Sequence, residues 1–425
     1  MVSLSATVPT LQASPHPGMG FRQFVALIAA IMAVNALAVD TMLPALPQIG
    51  DSIGIPTENA RQWVVTSYLL GFGVAQIIYG PLADHFGRKP ILLVGLAAYV
   101  VFSLAAGLST SFEMMLIARV LQGVAAASSR VLVISIVRDC YSGRKMARVM
   151  SLAFIVFLAV PILAPSIGQA VMLVLPWRAI FVGLALFGSI VFVWAGLRLP
   201  ETLHPEDRVQ TSVHSIAHAF RLTLSSRIAV GYMLGQTLMY GALVGFINSA
   251  EQVFVDVFHE ARWFTTIFAF AAMFMGFSSL LNARIVGRFG TRVISHSALI
   301  GYILVSGLHA LIAITGHETI WTFAPLQACM MFCFGLVGPN FGSMAMEPLG
   351  HVAGTASSVQ GFVSTVAGAL VGFYVGQHFD GTVVPLTLGF TLCSSLALVV
   401  VLVTEKGKLF QPTAAGLASV ADMSH

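Results

Sequence analysis

Residues 80–92 form a short charged segment between two long apolar stretches, and they decide how the rest of the chain is interpreted. They are Gly80-Pro81-Leu82-Ala83-Asp84-His85-Phe86-Gly87-Arg88-Lys89-Pro90-Ile91-Leu92. Apolar residues dominate 62–82 before this segment and 90–108 after it. A helix needs roughly 20 mostly apolar residues to cross the ~30 Å hydrocarbon core of a bilayer. The stretch therefore indicates a loop that joins two membrane-spanning helices.

The composition of the whole chain agrees with a membrane protein. Of its 425 residues, 57% are hydrophobic and 9% are charged, and the mean hydropathy is +0.89. Ordinary soluble proteins have about 45–50% apolar and about 25% charged residues. This excludes a soluble enzyme, a disordered chain and a disulfide scaffold. The four cysteines show neither a metal-ligand spacing nor a disulfide framework.

Twelve apolar segments have the length of a membrane span. They lie near 23–46, 62–82, 90–108, 113–137, 147–171, 177–197, 228–249, 262–283, 292–314, 319–341, 354–378 and 383–404. The sequence thus predicts an all-α integral membrane protein of two six-helix halves. Its expected parts are a disordered N-terminus 1–20, a first half 21–198, a linker 199–227, a second half 228–404 and a tail 405–425.

The basic residues predict the orientation of the chain. Sixteen of the 21 Lys and Arg residues fall in segments assigned to one side, and three fall in loops on the other. Short cytoplasmic loops are enriched in Lys and Arg. We therefore expect both termini in the cytoplasm. The same bias explains the net charge of +4 without a nucleic-acid partner.

A weak repeat links the two halves. Residues 85–89, His-Phe-Gly-Arg-Lys, follow the second span, and residues 288–292, Arg-Phe-Gly-Thr-Arg, follow the eighth. Internal repeats of this kind are common in secondary transporters, which bind substrate between the repeats. The repeat favours a transporter.

The segment 80–92 resembles the signature loop of the major facilitator superfamily, G-x-L-a-D-r-x-G-r-k-x-x-l. His85 stands where that pattern usually has a basic residue. The loop also follows the second of twelve spans, as in the family. The resemblance implies a fold of twelve helices in two pseudo-symmetric halves, with alternating access between them.

Other segments are similar to the drug:proton antiporter branch with twelve spans, and to Bcr/CflA-type exporters within it. Arg119-Val120-Leu121-Gln122-Gly123 matches R-x-x-q-G of the fourth span. Residues 40–47, Asp-Thr-Met-Leu-Pro-Ala-Leu-Pro, resemble the end of the first span, and 177–181 and 199–203 flank the sixth as they do there. The antiporter motif G-P-x-x-G-G of the fifth span is changed to Ala-Pro-Ser-Ile-Gly-Gln at 164–169. We expect Pro44, Pro165 and Gly168 to bend helices or permit close helix contact.

Asp40 is the one carboxylate that lies clearly within a predicted span. Charged groups at the bilayer centre cost roughly 2.5–3.5 kcal/mol on insertion scales, so such residues usually face a cavity or a partner. Asp40 is interpreted as the proton-exchange site, the alternative being a structural role at the end of the first helix. Arg119 resembles the family arginine that handles protons with that site, the alternative being a structural tie to backbone carbonyls.

The fourth span carries two arginines on one helical face. Arg119 and Arg130 are 11 residues apart, which returns to within roughly 20° of the same face. They are expected to line a polar pathway with Gln122, although Arg130 could equally form a structural ion pair. In this fold the first, fourth, seventh and tenth spans would line the cavity. The remaining candidate substrate residues, each with simple packing as the alternative, are Gln236, Tyr240, Asn248, Gln327, Met331 and Phe334.

The resemblance also implies a gate in the loop after the second span, which would close the cytoplasmic side. An aspartate there can interact favourably with the N-terminus of a neighbouring helix. Arg88 is expected to pair with Asp139, and the alternative for the basic residues is simple adherence to the positive-inside rule. The gate residues are Gly80, Asp84, Gly87, Arg88, Lys89 and Asp139.

Together these features predict a proton-coupled exporter of drugs or small amphipathic compounds, a monomer in a bacterial inner membrane. An exporter or proton-symporting importer of one metabolite is the alternative, followed by a non-transporting sensor. No phosphate-binding loop or catalytic metal spacing is present in the sequence. We therefore expect neither an enzyme nor a cofactor, with the proton gradient as the driving force.

Overall fold

The computed structural model describes residues 19–204, 206, 208 and 213–411, and its regular elements there are all helical. Twelve of its helical segments are long and apolar enough to cross a membrane. The helices of the first half are α1 (Phe21–Asp40), α2 (Leu46–Ile53), α3 (Trp63–Phe86), α4 (Arg88–Gly107), α5 (Phe112–Cys140), α6 (Gly143–Met172) and α7 (Arg178–Arg198). Those of the second half are α9 (Arg227–Gln252), α10 (Phe264–Phe289), α11 (Thr291–Ile314), α12 (Ile320–Met346), α13 (Ala353–Gln377) and α14 (Val384–Thr404).

The segment between the halves contains a helix that its polar composition did not suggest. This helix, α8 (Val213–Ser225), contacts α9 and α13. Residues 205, 207 and 209–212 of the predicted linker lie outside the described residues. Residues 1–18 of the predicted N-terminus and 412–425 of the predicted tail also lie outside them.

Each predicted span corresponds to a spanning segment, but the first one is interrupted. Helix α1 ends at Asp40, a 3₁₀ turn covers Leu43–Ala45, and α2 continues the segment. Proline has no N–H to donate and clashes with the preceding turn, so Pro44 and Pro47 break the helix where the sequence suggested continuity to residue 46. Asp40 consequently lies at a helix end inside the membrane-spanning segment.

The same helix pairings recur in both halves. In the first half α3 packs on α5, α4 on α5 and α7, and α1 on α6. In the second half α10 packs on α12, α11 on α12 and α14, and α9 on α13. The halves meet mainly where α3 contacts α13 and α6 contacts α10. The architecture is therefore a pseudo-symmetric pair of six-helix bundles.

The bundle has two ends, which are named here by their loops. The basic end contains the turns at Gly87 and Gly290 and the described part of the linker. The far end contains the loops that follow α2, α4, α6, α9, α11 and α13. Successive spanning helices run alternately between the two ends.

Candidate functional site

A cavity of about 380 Å³ lies between the two halves. Helices α3 and α5 of the first half and α9 and α13 of the second supply most of its wall. Of the predicted site residues, it brings together Gly80, Asp84, Arg130, Gln236 and Tyr240. Because Asp84 lies in the last turn of α3 and remains partly exposed, the cavity is accessible from the basic end.

The polar lining comes largely from two helices that the sequence did not assign to the cavity. Gln76 of α3 donates to the Thr365 hydroxyl of α13 at 3.0 Å. The Gln360 amide of α13 donates to Gln236 Oε1 of α9 at 2.6 Å. All four of these residues line the cavity. A glutamine in an otherwise apolar span was the available signal for Gln76 and Gln360.

At the far end, a network of side-chain amides holds the halves together. The Gln62 amide donates to Gln252 Oε1 at 2.7 Å and to the Gly376 carbonyl at 3.0 Å. Gln252 donates to Asn59 Oδ1 at 2.8 Å, and Gln377 donates to the Asn59 carbonyl at 2.7 Å. Gln62 and Gln252 are each at most 2% exposed. This amide network closes the far end, so the structure has a cavity open toward one end only.

Asp40 is buried beside the cavity, at the break between α1 and α2. It lies close enough to Tyr68 of α3 and Tyr240 of α9 to interact with them electrostatically. Among the described residues, no side chain is hydrogen-bonded to its carboxyl group. Tyr240 also lines the cavity, so Asp40 interacts electrostatically with a residue of the cavity wall without lining the cavity itself.

Arg119 is fully buried and bonded within the first half. Its Nε donates to the Val64 carbonyl at 2.9 Å, and its Nη2 donates to the Ala38 carbonyl at 3.2 Å. Its guanidinium carbon lies 4.5 Å from the centre of the Tyr68 ring. Arg119 thus connects α5 with α1 and α3, and Tyr68 interacts electrostatically with both Arg119 and Asp40.

The expected polar stripe along α5 is not continuous. Arg130 lines the cavity, whereas Arg119 is enclosed because α1 and α3 cover α5 at its level. Gln122 accepts from Arg119 Nη1 at 2.7 Å and donates to the Ser103 hydroxyl at 2.7 Å. Gln122 is therefore a partner of Arg119 and does not line the cavity.

Four other predicted cavity residues also lie outside the cavity lining in this conformation. Asn248 bridges the halves by donating to the Thr66 hydroxyl at 3.3 Å. Gln327 is fully buried in α12, and no described residue is hydrogen-bonded to its amide. Met331 is 2% exposed and Phe334 packs against the hydrophobic core. Helix α13 takes the part of the wall that the sequence assigned to α12.

At the basic end of the first half, one arginine joins two helices. Arg88 pairs with Asp84 of α3, and its Nε contacts Asp139 Oδ2 of α5 at 3.2 Å. The Arg88–Asp139 pairing expected from the sequence is confirmed. Lys89, the next residue, donates its backbone N–H to Glu201 Oε2 at 3.3 Å.

Glu201 is a component of this cluster that the sequence did not single out. It accepts from the Arg88 backbone N–H at 2.9 Å, so it caps the N-terminus of α4. Gly87 precedes that helix with φ of 102° and ψ of 156°. A Cβ at Gly87 would overlap with Glu201 Oε2. The glycine is thus required both by its backbone conformation and by the close approach of Glu201.

The second half repeats this arrangement with different residues. Arg292 at the start of α11 contacts Glu405 at 2.8 Å and Glu347 at 3.4 Å. Tyr232 donates to Glu405 Oε1 at 2.6 Å. Partial burial alone would raise the pKa of Glu405, but the hydrogen bonds from Tyr232 and Arg292 hold that pKa below its ordinary value. Each half therefore has an arginine anchored by carboxylates from two other segments.

Two of the three predicted helix-bend residues, Pro44 and Gly168, meet at the break in the first span. Pro44 lies in the 3₁₀ turn, and Pro165 lies inside α6. A Cβ on Gly168 would overlap with the Thr41 carbonyl oxygen and would lie 3.2 Å from Pro44 Cγ. Gly168 consequently allows α6 to pack directly on the buried, non-α-helical backbone that follows Asp40.

The architecture and the cavity agree with the comparison to protein families. The model of the Major Facilitator Superfamily matches residues 28–372. The chain belongs to this superfamily. It is a multi-pass membrane transporter. Among its described residues, no three His, Cys, Asp or Glu side chains form a group that could hold a metal ion.

Curated members of the superfamily are similar to this chain over most of its length. A bicyclomycin resistance protein homolog of Haemophilus influenzae is 27% identical over 87% of this chain and 93% of that protein. A chloramphenicol resistance protein of Pseudomonas aeruginosa is 29% identical over 79% of each chain. Among solved structures, this chain superposes on the xylose transporter XylE from E. coli in a partially occluded inward-open conformation, with a TM-score of 0.72. The two chains are 10% identical, and the superposition covers 93% of this chain and 99% of XylE. The structural likeness supports the fold alone.

Proposed function

We propose that this superfamily member exports drugs or small amphipathic compounds in exchange for protons by alternating access. The observation that carries the proposal is the position of Asp40. This buried carboxyl group interacts electrostatically with Tyr240, which lines a cavity that is accessible from one end. Charged residues within spanning segments usually mark ion or proton pathways. The resistance proteins similar to this chain support the choice of drugs over other cargo.

In the proposed cycle, Asp40 alternates between a protonated and an ionised form. Burial favours the protonated, neutral form of a carboxyl group, and a polar ligand or water beside it favours the ionised form. Substrate that enters from the basic end would contact Tyr240 and promote release of the Asp40 proton to that side. Arg119 acts as a positioning residue, because its bonds to Ala38 and Val64 hold the end of α1 against α3. Reprotonation from the far end would return the carrier.

The lining of the cavity favours uncharged polar substrates over permanent cations. Its volume lies within the ~300–1,000 Å³ range of small-molecule sites. Arg130 and Arg138 contribute two positive charges to the wall, and Asp84 contributes one negative charge. Amides and hydroxyls of α3, α9 and α13 supply hydrogen-bond donors and acceptors. We therefore expect hydroxyl- and amide-bearing antibiotics to be better substrates than quaternary ammonium dyes.

The basic end is proposed to face the cytoplasm of a bacterial cell, with the protein in the inner membrane. The excess of Lys and Arg at this end follows the positive-inside rule, and the similar resistance proteins are bacterial. In this orientation the open cavity faces the cytoplasm, from which an exporter must collect its substrate. A protease-accessibility assay on tagged linker residues in intact and everted membranes tests the orientation.

Everted membrane vesicles test the proposed activity directly. The vesicle lumen is acidified, compounds are added outside, and loss of the pH gradient is followed with a quenched fluorescent amine. We expect neutral polar antibiotics to collapse the gradient in wild-type vesicles. We expect Asp40→Asn to reduce this response to that of vesicles without the protein, because asparagine cannot exchange a proton.

Asp380→Asn is the matched control, since it makes the same chemical change in an exposed loop at the far end. It should retain the wild-type response at equal expression. A full response from Asp40→Asn would contradict the role of Asp40. Silence of the wild-type protein across neutral and cationic antibiotics would contradict drug export and favour a metabolite carrier.

A further inference from the structure

A second buried carboxyl group lies at the far end, outside the cavity and the surroundings of Asp40. Glu251, in the last turn of α9, is 2% exposed, and no described residue is hydrogen-bonded to its Oε1. Glu251 lies just beyond the apolar segment that ends near residue 249, because α9 continues past that segment to Gln252. Its neighbour Gln252 belongs to the amide network, and Asn248 one turn earlier is bonded to Thr66 of the first half. Glu251 is therefore located where the two halves are joined.

The charged groups around Glu251 include more carboxylates than cations, so they do not compensate the negative charge of an ionised Glu251 well. Its electrostatic neighbours are Asp256 on the following π-helical turn, and Glu58 and Arg61 on the segment before α3. The one cation among these three, Arg61, lies 3.8 Å from Asp51 on α2 and so is shared with another carboxylate. His259 completes the charged and titratable groups, and it interacts with Asp256. Asp256 also has a buried oxygen, Oδ2, to which no described residue is hydrogen-bonded.

We propose that Glu251 is a proton-binding site whose occupancy favours closure of the far end. In the closed structure an ionised Glu251 would be buried without a hydrogen bond to Oε1 and would be repelled by the carboxylates of Asp256 and Glu58, which is unfavourable. A protonated Glu251 removes that repulsion and the cost of burying charge. Opening would separate Gln252 from Asn59 and Gln62, admit water to Glu251 and stabilise its ionised form.

This role differs from that of Asp40 and rests on the proposed alternating-access cycle. Asp40 interacts with Tyr240 of the cavity wall, and in the proposed cycle it exchanges protons across the protein. Glu251 would take up a proton from the far side as that end closes and return it to the same side as it opens. It would not add to the number of transported protons. It would make the balance between the two conformations depend on the pH at the far side.

A distance measurement tests the proposal without any substrate or transport. Spin labels are attached at Thr110→Cys and His317→Cys, two exposed positions at the far end of the first and second half. The four native cysteines are first replaced by serine, and the protein is placed in lipid nanodiscs. Electron–electron double resonance then gives the ratio of far-end-open to far-end-closed molecules as the pH is raised from mildly acidic to mildly alkaline.

Proton linkage at one group changes this ratio by up to tenfold per pH unit across its titration. In the wild-type protein we expect the ratio of far-end-open to far-end-closed molecules to rise with pH. In Glu251→Gln we expect this pH dependence, of up to tenfold per pH unit, to disappear and the far end to remain mostly closed. Asp256→Asn is the matched control for a neighbouring carboxylate, and it should keep a pH dependence. Glu251→Asp should also keep one, because aspartate still titrates.

An unchanged pH dependence in Glu251→Gln would overturn the proposal. Loss of the dependence in Glu251→Asp as well as in Glu251→Gln would also overturn it, because the effect would then follow the shape of the side chain. The same series in an Asp40→Asn background removes the contribution of the transport site. Failure of the vesicle assay would refute drug:proton exchange and leave this conformational result unaffected, so the two proposals can fail separately.

Discussion

Replacement of Gly87 by alanine measures how much the capping of α4 contributes to stability. Gly87 has φ of 102° and ψ of 156°, a region that only glycine adopts readily, and a non-glycine residue there costs about 1–3 kcal/mol. The added Cβ would also overlap with Glu201 Oε2 and displace that carboxylate. Glu201 would then lose its bonds to the backbone N–H groups of Arg88 and Lys89. Hydrogen bonds to a charged acceptor contribute about 1.5–3 kcal/mol each. Because the Glu201 carboxylate is exposed, we take the lower value for each of these two bonds, which gives about 3 kcal/mol in total.

The pseudo-symmetric half supplies a matched control. Gly290 has φ of 78° and ψ of 158°, but no heavy atom lies within 4 Å of a Cβ built there. Gly290→Ala should therefore lower the stability only by the cost of placing a non-glycine residue in this backbone conformation. The difference in stability between the two variants measures the contribution of the Glu201 hydrogen bonds. In a Glu201→Ala background, Gly87→Ala should cost no more than Gly290→Ala, since the displaced carboxylate is absent.

Thermal unfolding in detergent, followed by tryptophan fluorescence, is the appropriate assay. A change of 1 kcal/mol shifts the melting temperature by about 2–4 °C for a unit of 150–250 residues, the size of each half. Gly87→Ala should thus melt about 6–12 °C below Gly290→Ala. Equal melting temperatures for the two variants would refute the reasoning. So would a difference that persists in the Glu201→Ala background.

Two further predictions concern the buried arginine and the second carboxylate cluster. Arg119→Lys keeps the charge but cannot make the three directed bonds of the guanidinium. Each missing bond should cost about 1.5–3 kcal/mol of stability, so we expect a lower melting temperature and loss of the vesicle response. A wild-type melting temperature together with a wild-type vesicle response would contradict this role. The lowered pKa of Glu405 means that its contribution to stability is present above its ordinary value of about 4.5 and is lost as the pH falls through the lowered value. Glu405→Gln should therefore melt lower than wild type at neutral pH and approach it in acid, and parallel pH profiles of melting temperature would contradict the linkage.

The fold could be predicted from the sequence because its determinants are local. Each spanning helix needs its own apolar segment, and twelve such segments can be counted directly. The charged segment at residues 80–92 and its partial repeat at 288–292 then show how the twelve spans divide into two halves. The exception is the interruption after Asp40, where α1 stops before Pro44 although the apolar pattern continues to residue 46.

The candidate site could be predicted only in part. Asp40, Arg130 and Tyr240 were found because polar residues in apolar spans are conspicuous. Glu201 was missed because its role depends on contact with Arg88, 113 positions away in the chain. Such contacts follow from the packing of whole helices, and no short-range pattern in the sequence records them.

The amide network described at the far end has a consequence for how such a protein could evolve. Each ion pair between two described residues lies within one half, whereas the far ends of the two halves are held together by uncharged hydrogen bonds such as Gln62–Gln252. A single bond of this kind contributes about 0.5–1.5 kcal/mol, which corresponds to roughly a 2- to 13-fold change in a conformational ratio. Natural variants that lose or gain one amide could therefore shift the resting state of the carrier in small, graded steps. They would do so without touching the residues that select the substrate.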